Sequence, residues 1–244
     1  LQQRGHRVRI FEQAPRFERL GAGINLSPNV MKILREIGVE DRLLEIGIEP
    51  LSWVSRDITS GEILFEYRMR DVVERKFGAP YITIHRGDFH AVLTEAVAPG
   101  TIEFGKRLNN FEQQADSIRL NFEGHPSVEV DFMIGADGIN SMVRETLLGP
   151  ELPIYTGYVA HRSIFPTRYL DGMEVDDFSK WWSDEAHGDR HIVVYLLDKT
   201  AEESYFVTGV PQANWTLGLS CIDTNMDELR GHFSGFHDIV IRLV

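Results

Sequence analysis

The run Phe132-Met133-Ile134-Gly135-Ala136-Asp137-Gly138 predicts a buried strand that ends in an abrupt turn. Glycines in such a turn let the backbone approach a ligand closely, and an acidic residue at the strand end suits a sugar-chain or pyrophosphate contact. Ser141 then predicts the N-cap of a short helix that ends near Leu148, with Arg144 inside it. Ordinary strand–helix turns have similar spacing, so the functional interpretation needs support from the rest of the chain.

A second acidic residue, Glu12, ends a short strand predicted over residues 8–12. In dinucleotide-binding folds, an acidic residue at the end of the second strand accepts hydrogen bonds from the adenosine ribose. A solvated charge at a strand end is the alternative. The Gly-x-Gly-x-x-Gly run of such folds is absent, residues 1–6 resemble the end of a helix, and residues 238–244 are apolar without a stop signal. We therefore expect an interior piece of a longer protein, incomplete at both ends.

A candidate anion site lies at Arg86, where a strand meets a helix predicted over residues 88–97. Helix N-termini present unpaired N–H groups and a positive dipole end, and a guanidinium strengthens their attraction for anions. The alternative is a surface arginine that pairs with Asp88.

Helices and strands alternate in the first part of the chain. Ser27 and Pro28 predict the start of a helix that ends at Gly38, with an apolar face of Val30, Ile33, Leu34 and Ile37. From residue 153 onward the pattern is rich in strands, predicted over residues 158–164, 191–197, 204–211 and 215–222. A last helix is predicted over residues 226–233, with Thr224 or Asn225 as its N-cap. This order predicts a mixed α/β fold, in which a Rossmann-like dinucleotide-binding domain accompanies an antiparallel-sheet substrate domain.

Candidate catalytic side chains occur in the strand-rich part, where Lys180-Trp181-Trp182 precedes His191 and Tyr195. Residues i and i+4 of a strand share a face, so the imidazole and the phenol can point into one cavity. Both groups can relay a proton. The alternative is a histidine and a tyrosine that pack in the core, with the tryptophans as packing residues.

Composition narrows the function classes. The 244 residues carry a net charge of −12, which argues against a nucleic-acid partner, because such proteins neutralise phosphates with Lys and Arg. Cys221 is the single cysteine, so an internal disulfide or a Cys-rich metal site is excluded and a reduced, cytoplasmic setting is expected. The sequence has no apolar run of the roughly 20 residues that a membrane span needs, and we expect a monomer or homodimer.

Taken together, these segments resemble the p-hydroxybenzoate hydroxylase family of flavoprotein monooxygenases. The matching runs are Phe11-Glu12-Gln13-Ala14-Pro15, Gly21-Ala22-Gly23-Ile24, Pro28-Asn29-Val30, His85-Arg86-Gly87-Asp88 and Gly135-Ala136-Asp137-Gly138-Ile139 with Ser141 and Arg144. Further runs resemble the 6-hydroxynicotinate 3-monooxygenase subfamily: residues 81–88, 104–108, 159–162, 180–183 and 205–211.

The resemblance implies an FAD-binding domain over residues 1–152, with a β-rich insertion around residues 45–80, and a substrate-binding sheet domain over residues 153–244. It implies that Glu12 holds the adenosine ribose, that Arg86 and Leu108 line the FAD site, and that Asp137 lies near FAD and the nicotinamide donor. It places Asn25 in the same pocket. It also implies that His191 and Tyr195 face the aromatic substrate.

Two positions depart from the subfamily pattern. Asn25 stands where the subfamily has a histidine, and Phe178 stands where it has a cysteine. Both positions fall at the inferred pocket, so the resemblance leaves the substrate open between acids similar to 6-hydroxynicotinate and to salicylate.

The implied reaction uses NADH or NADPH to reduce FAD, which activates O₂ as a flavin C4a-hydroperoxide and hydroxylates a small aromatic acid, with decarboxylation where the attacked carbon carries a carboxylate. Deprotonation of a ring hydroxyl by His191 or Tyr195 would make the ring more nucleophilic. Two alternatives stay open: a reductase or epoxidase of the same fold that acts on a larger apolar ligand, and a non-catalytic remnant that no longer binds FAD.

Overall fold

The computed structural model describes residues 1–19, 21–184, 187–215 and 221–244. These residues form two compact units. The first unit contains residues 1–18 and 97–155, and the second contains residues 19–96 and 156–244. The sequence predicts a functional boundary near residue 152, between an FAD-binding domain and a substrate-binding domain. The two compact units do not test that boundary, which stays a prediction.

In chain order, the helices are α1 (Pro28–Glu36), α2 (Glu40–Ile46), α3 (Val72–Phe77), α4 (Arg86–Glu95), α5 (Met142–Leu148), α6 (Met226–Phe233) and α7 (Asp238–Leu243). The strands are β1 (Ile10–Phe11), β2 (Gly23–Leu26), β3 (Ser52–Asp57), β4 (Ile63–Arg68), β5 (Ile82–His85), β6 (Ile102–Glu103), β7 (Leu108–Gln113), β8 (Ile118–Phe122), β9 (Val128–Val130), β10 (Tyr158–Val159), β11 (Arg162–Pro166), β12 (Phe178–Trp182), β13 (His191–Leu196) and β14 (Glu203–Pro211). The mixed α/β class is confirmed.

The first unit is built on two small sheets. Strands β1 and β6 pair in parallel, and β7, β8 and β9 form an antiparallel meander. Helix α5 contacts β7. The buried side chains of this unit include Leu120, Phe122 and Val143.

The strand predicted over residues 132–138 is not formed, and this expectation was wrong. Phe132 is 90% exposed and Ile134 is 75% exposed, and no described strand pairs with them. A buried strand needs neighbouring backbone groups to satisfy its N–H and C=O groups. Without such a neighbour in this unit, an apolar run alone does not form a strand.

The second unit contains a larger, mostly antiparallel sheet. Its strand order in the described residues is β10-β14-β13-β12-β3-β4, with β11 also paired to β14, and only the β12–β3 pairing is parallel among these pairs. Because side chains alternate across a strand, the sheet has two distinct faces. The back face packs Trp181, Ile192 and Val194 against two helices. Leu229 and Phe233 contribute from α6, and Val240 and Leu243 contribute from α7.

The other face, called the front face below, contains the candidate site. Cross-strand pairing places on it Phe178, Lys180, Trp182, His191, Val193, Tyr195, Tyr205, Val207 and Gly209. The antiparallel pair of β2 and β5 packs near one end of β13, where the Thr83 hydroxyl donates to the Leu196 carbonyl at 2.7 Å.

Helix α1 begins at Pro28 after Ser27, as predicted, but its buried face differs from the predicted one. Leu34 and Val30 of the predicted face pack in the core together with Met31, whereas Ile33 is 61% exposed and Ile37 is 37% exposed. Helix α6 has Asn225 as its N-cap, which confirms one of the two predicted caps. The strand predicted over residues 215–222 falls largely on residues 216–220, outside the described residues. No helix in the described ranges is both long and apolar enough to cross a bilayer.

Candidate functional site

Tyr195 lies at one end of the front face and is only 3% exposed. Its ring stacks on Phe178 with centroids 5.3 Å apart and tilts against Tyr205 at 5.2 Å. The backbone of Gly23 lies against the phenol, because a Cβ built at Gly23 would be 2.5 Å from the Tyr195 hydroxyl oxygen. Only glycine therefore fits at residue 23 without moving Tyr195.

Burial determines the chemistry of this phenol. It raises the pKa of Tyr195 well above its usual range, with smaller contributions from Tyr205 and Tyr81. The hydroxyl makes no hydrogen bond to a residue that the structure describes. At neutral pH, Tyr195 is therefore a neutral phenol that can donate a hydrogen bond to a ligand.

His191 lies at the other end of β13 and is half-buried. Its ring lies 5.7 Å from that of Trp182 and directly over Gly209, its cross-strand partner. Burial lowers the pKa of His191, the nearby charge of Lys180 lowers it further, and Asp189 opposes both. The imidazole is therefore neutral at pH 7 and can accept a proton.

His191 and Tyr195 share the front face, which confirms the i and i+4 prediction. They do not form a contacting pair, because four residues of strand separate their Cα atoms by about 13 Å. Val193 lies between them and Val207 lies beside Val193. The arrangement is an apolar floor with a hydrogen-bond donor at one end and an acceptor at the other.

Lys180 is a site residue to which the sequence interpretation gave no role. It is half-buried beside Val193, and its Nζ lies 3.3 Å from the ring centre of Trp182. Burial lowers the pKa of Lys180 to about 8. The available sequence signal was the run Phe178-Ser179-Lys180-Trp181-Trp182. Alternation along this strand puts Lys180 on the same face as Phe178 and Trp182.

Arg86 begins α4, as predicted, although the helix begins two residues before the expected start. Its backbone N–H donates to the Ala22 carbonyl at 2.8 Å, which connects α4 to the segment before β2. The predicted alternative, a pair with Asp88, is not observed, because Asp88 pairs with Arg19 at 2.9 Å. The exposed Arg86 guanidinium has no hydrogen bond or ion pair with any residue in the described ranges.

Asn25 lies in β2 opposite Thr83. It is exposed, and it is on the same strand face as Gly23, two residues away. The second unit thus contains Asn25, Arg86, His191 and Tyr195, four of the predicted site residues.

The other predicted site residues, Glu12, Leu108 and Asp137, belong to the first unit. The Glu12 carboxylate accepts from the Ala14 N–H at 2.7 Å, and its carbonyl accepts from the Lys106 N–H at 2.8 Å. Leu108 begins β7 two residues later. Glu12 and the segment leading to Leu108 are therefore neighbours.

Asp137 is bound to the start of α5. Its carboxylate accepts from the Ser141 hydroxyl at 2.5 Å and from the Val143 N–H at 3.1 Å. Burial opposes ionisation, but the hydrogen bonds from Ser141 and the backbone outweigh it and lower the pKa of Asp137. Ser141 also accepts from the Arg144 N–H at 2.9 Å, which confirms the predicted N-cap. A cofactor contact by Asp137 stays a prediction, as does the convergence of residues from both units on FAD.

Comparisons with known proteins agree with this architecture. The family described as FAD binding domain matches residues 1–213. The chain is 48% identical over 241 residues to a 6-hydroxynicotinate 3-monooxygenase from Bordetella bronchiseptica, covering 98% of this chain and 62% of the relative. It is 45% identical over 246 residues to the enzyme of that name from Pseudomonas fluorescens, covering 100% of this chain and 63% of the relative. The chain thus spans about three fifths of each relative.

A solved structure shares the fold. The crystal structure of Klebsiella pneumoniae HpxO in complex with FAD and uric acid superposes with a TM-score of 0.82 at 24% sequence identity, covering 100% of this chain and 59% of that chain. The family match and the two relatives confirm the predicted family resemblance, and the family match supports FAD as the cofactor. The likeness to HpxO confirms the fold class.

Proposed function

We propose that this chain, which belongs to the FAD binding domain family, is the cofactor- and substrate-binding part of a flavin-dependent monooxygenase. Its substrate would be a small aromatic or N-heteroaromatic acid. The observation that carries the proposal is the front face, where an apolar floor separates the Tyr195 donor from the neutral His191 acceptor. The names of the two relatives, both 6-hydroxynicotinate 3-monooxygenases, support the same reaction class.

The described residues fit FAD chemically. The exposed Arg86 guanidinium, which pairs with no described residue, suits a phosphate group. The Glu12 carboxylate, which uses one oxygen on Ala14, keeps an acceptor for a ribose hydroxyl. Leu108, Asp137 and Asn25 complete the proposed cofactor set. When bound, FAD would accept electrons from NADH or NADPH and would activate O₂ for oxygen transfer.

The chain's own side chains would position and activate the aromatic ring. Val193 and Val207 hold the ring and keep water from its lower surface. His191 accepts the proton of a ring hydroxyl, which raises the nucleophilicity of the ring, and general-base help of this kind contributes about 10²- to 10⁴-fold. Tyr195, as a neutral phenol, donates a hydrogen bond to the opposite end of the substrate.

The substrate class is an acid similar to 6-hydroxynicotinate or salicylate. Phe178, which stands where the subfamily has a cysteine, stacks on Tyr195. It therefore shapes the Tyr195 end of the site. If the attacked carbon carries the carboxylate, hydroxylation releases CO₂. We place the reaction in the cytoplasm, where Cys221 stays reduced.

Product analysis tests this proposal. The whole FAD-loaded protein is incubated with NADH or NADPH, O₂ and either 6-hydroxynicotinate or salicylate, and hydroxylated product and H₂O₂ are measured. We expect product from one of the acids, a fall of about 10²- to 10⁴-fold in its rate of formation in His191→Asn, and no change in the exposed control His6→Asn. Oxidation of the nicotinamide that produces only H₂O₂ with every hydroxylated aromatic acid would contradict the proposal.

A further inference from the structure

We propose that Lys180, with Ser55 beside it, forms a carboxylate-binding subsite on the front face. The inference rests on the proposed function and deepens it, because it assigns the acidic group of the substrate to the β3–β12 side of the face. His191, on β13, stays the proposed acceptor of the ring-hydroxyl proton.

The geometry places a cation next to the site floor. Lys180 is the cross-strand partner of Val193, and its Nζ rests 3.3 Å from the centre of the Trp182 ring. Trp182 is in turn the cross-strand partner of His191. The ammonium group therefore lies toward the His191 end, away from Phe178 and Tyr195.

The charge of Lys180 lacks an anionic partner in the part of the chain that the structure describes. Lys180 is half-buried, and it forms no ion pair with any residue that the structure describes. A buried charge is costly unless it is paired, and the fall of the Lys180 pKa to about 8 reflects this burial cost. A ligand carboxylate would compensate it.

A second unpartnered polar group lies beside Lys180. Ser55 is its neighbour across the parallel β3–β12 pair, is 1% exposed, and has a buried Oγ without a hydrogen-bond partner in the described part of the chain. Buried hydroxyls normally have a partner. A ligand oxygen near Lys180 would give Ser55 an acceptor.

The ionisable groups around Lys180 do not already serve as that partner. From β13 it faces His191, whose pKa it lowers. From β3 the nearest carboxylate is Asp57, which accepts from the Ser60 N–H at 2.7 Å. From the segment before β13, Asp189 accepts from the Tyr158 hydroxyl at 2.7 Å.

The rival cations are Arg86 and Arg162, which lie near Tyr205 at the other end of the face, since their charges oppose the rise of its pKa. Both are exposed, so water solvates their charges. The half-buried charge of Lys180 is less well solvated and therefore gains more from an anionic ligand.

Calorimetric titration without NADH or NADPH tests the subsite. The intact FAD-loaded protein is titrated with 6-hydroxynicotinate and with its neutral analogue 6-hydroxynicotinamide. We expect Lys180→Met to weaken binding of the acid by about 10- to 100-fold, to change binding of the amide less than about 2-fold, and to leave FAD content unchanged. Lys180→Arg should retain the acid preference, and the control Lys199→Met removes an exposed charge without effect on either ligand.

The pH profile gives a second measurement. Acid affinity should be constant below about pH 8 in the wild type and fall about tenfold per pH unit above it, whereas Lys180→Arg should stay flat. The inference is overturned if Lys180→Met leaves the ratio of acid affinity to amide affinity unchanged, or if Arg162→Gln abolishes the acid preference instead. A wild type that binds neither compound also overturns it.

These results are separate from those that judge the proposed function. A protein that binds acids through Lys180 but forms no hydroxylated product fails the proposed function only. A protein that forms product with no acid preference fails the subsite inference only.

Discussion

Gly23→Ala adds one methyl group at the closest contact of the candidate site. The new Cβ would lie 2.5 Å from Oη, 2.7 Å from Cε2 and 2.8 Å from Cζ of Tyr195. Carbon atoms pack comfortably at about 3.5–4.0 Å, so Tyr195 or strand β2 must shift by roughly 1 Å. Both the stability of the fold and the position of the phenol should therefore change.

The surroundings of Tyr195 determine the size of the effect. The ring is held by Phe178 on one face and by Tyr205 on another side, so it cannot move freely. Inserting a methyl into such packing costs about 1–3 kcal/mol, which corresponds to a loss of roughly 2–12 °C in Tm for a domain of this size. A displacement of about 1 Å at a reacting group can lower turnover by roughly 10²-fold.

The matched control is Gly231→Ala in helix α6, where a Cβ would meet nothing within 4 Å. Glycine inside a helix is destabilising by about 0.5–1 kcal/mol relative to alanine, so this variant should be unchanged or slightly more stable. Thermal unfolding by circular dichroism and turnover of the hydroxylated acid are measured for both variants. If Gly23→Ala matches Gly231→Ala in Tm and in turnover, the contact between Gly23 and Tyr195 has no role and the reasoning is refuted.

Three further predictions follow from the described contacts. Tyr195→Phe should keep the wild-type Tm within about 2 °C, because its hydroxyl has no partner among the described residues, while turnover falls by about 10-fold through loss of one hydrogen bond to substrate; a large loss of Tm would contradict this. The pKa of His85 is lowered by burial and by nearby Arg19, so its contribution to stability is complete above about pH 6.5 and is lost as the pH falls below it. In His85→Asn, the new side chain should still accept the hydrogen bond from the Gly87 N–H, while the free energy of unfolding measured by denaturant titration should depend less on pH. An unchanged pH dependence would show that His85 is not its source. Ser141→Ala removes the cap of α5 and should lower the free energy of unfolding by about 1 kcal/mol in urea titration, and no loss would show that the Asp137 hydrogen bonds suffice.

Local patterns in the sequence predicted much of the fold. The strand-rich pattern after residue 153 predicted β13 and β14, and cap residues predicted the starts of α5 and α6. Their physical reason is short range: caps and strand faces depend on residues within a few positions of each other. The same patterns, spread over the chain, indicated the family that the FAD binding domain match then confirmed.

Pairing partners could not be predicted this way. The sequence places Arg86 two residues before Asp88, but Asp88 pairs instead with Arg19, 69 residues away, and this leaves the Arg86 guanidinium unpaired among the described residues. The apolar run at residues 132–138 predicted a strand, but strand formation needs a neighbouring strand, which sequence alone does not supply.

The sequence by itself predicted many of the secondary-structure elements and the shared strand face of His191 and Tyr195, and its family resemblance indicated the cofactor chemistry. Only the tertiary structure decided that Gly23 covers Tyr195 and that Lys180 lies half-buried over Trp182 without an acidic partner in the described ranges. It also decided that the two candidate catalytic groups stand at opposite ends of one face. These features depend on packing between segments far apart in the chain, and packing sets burial, which in turn sets the charge state of each group.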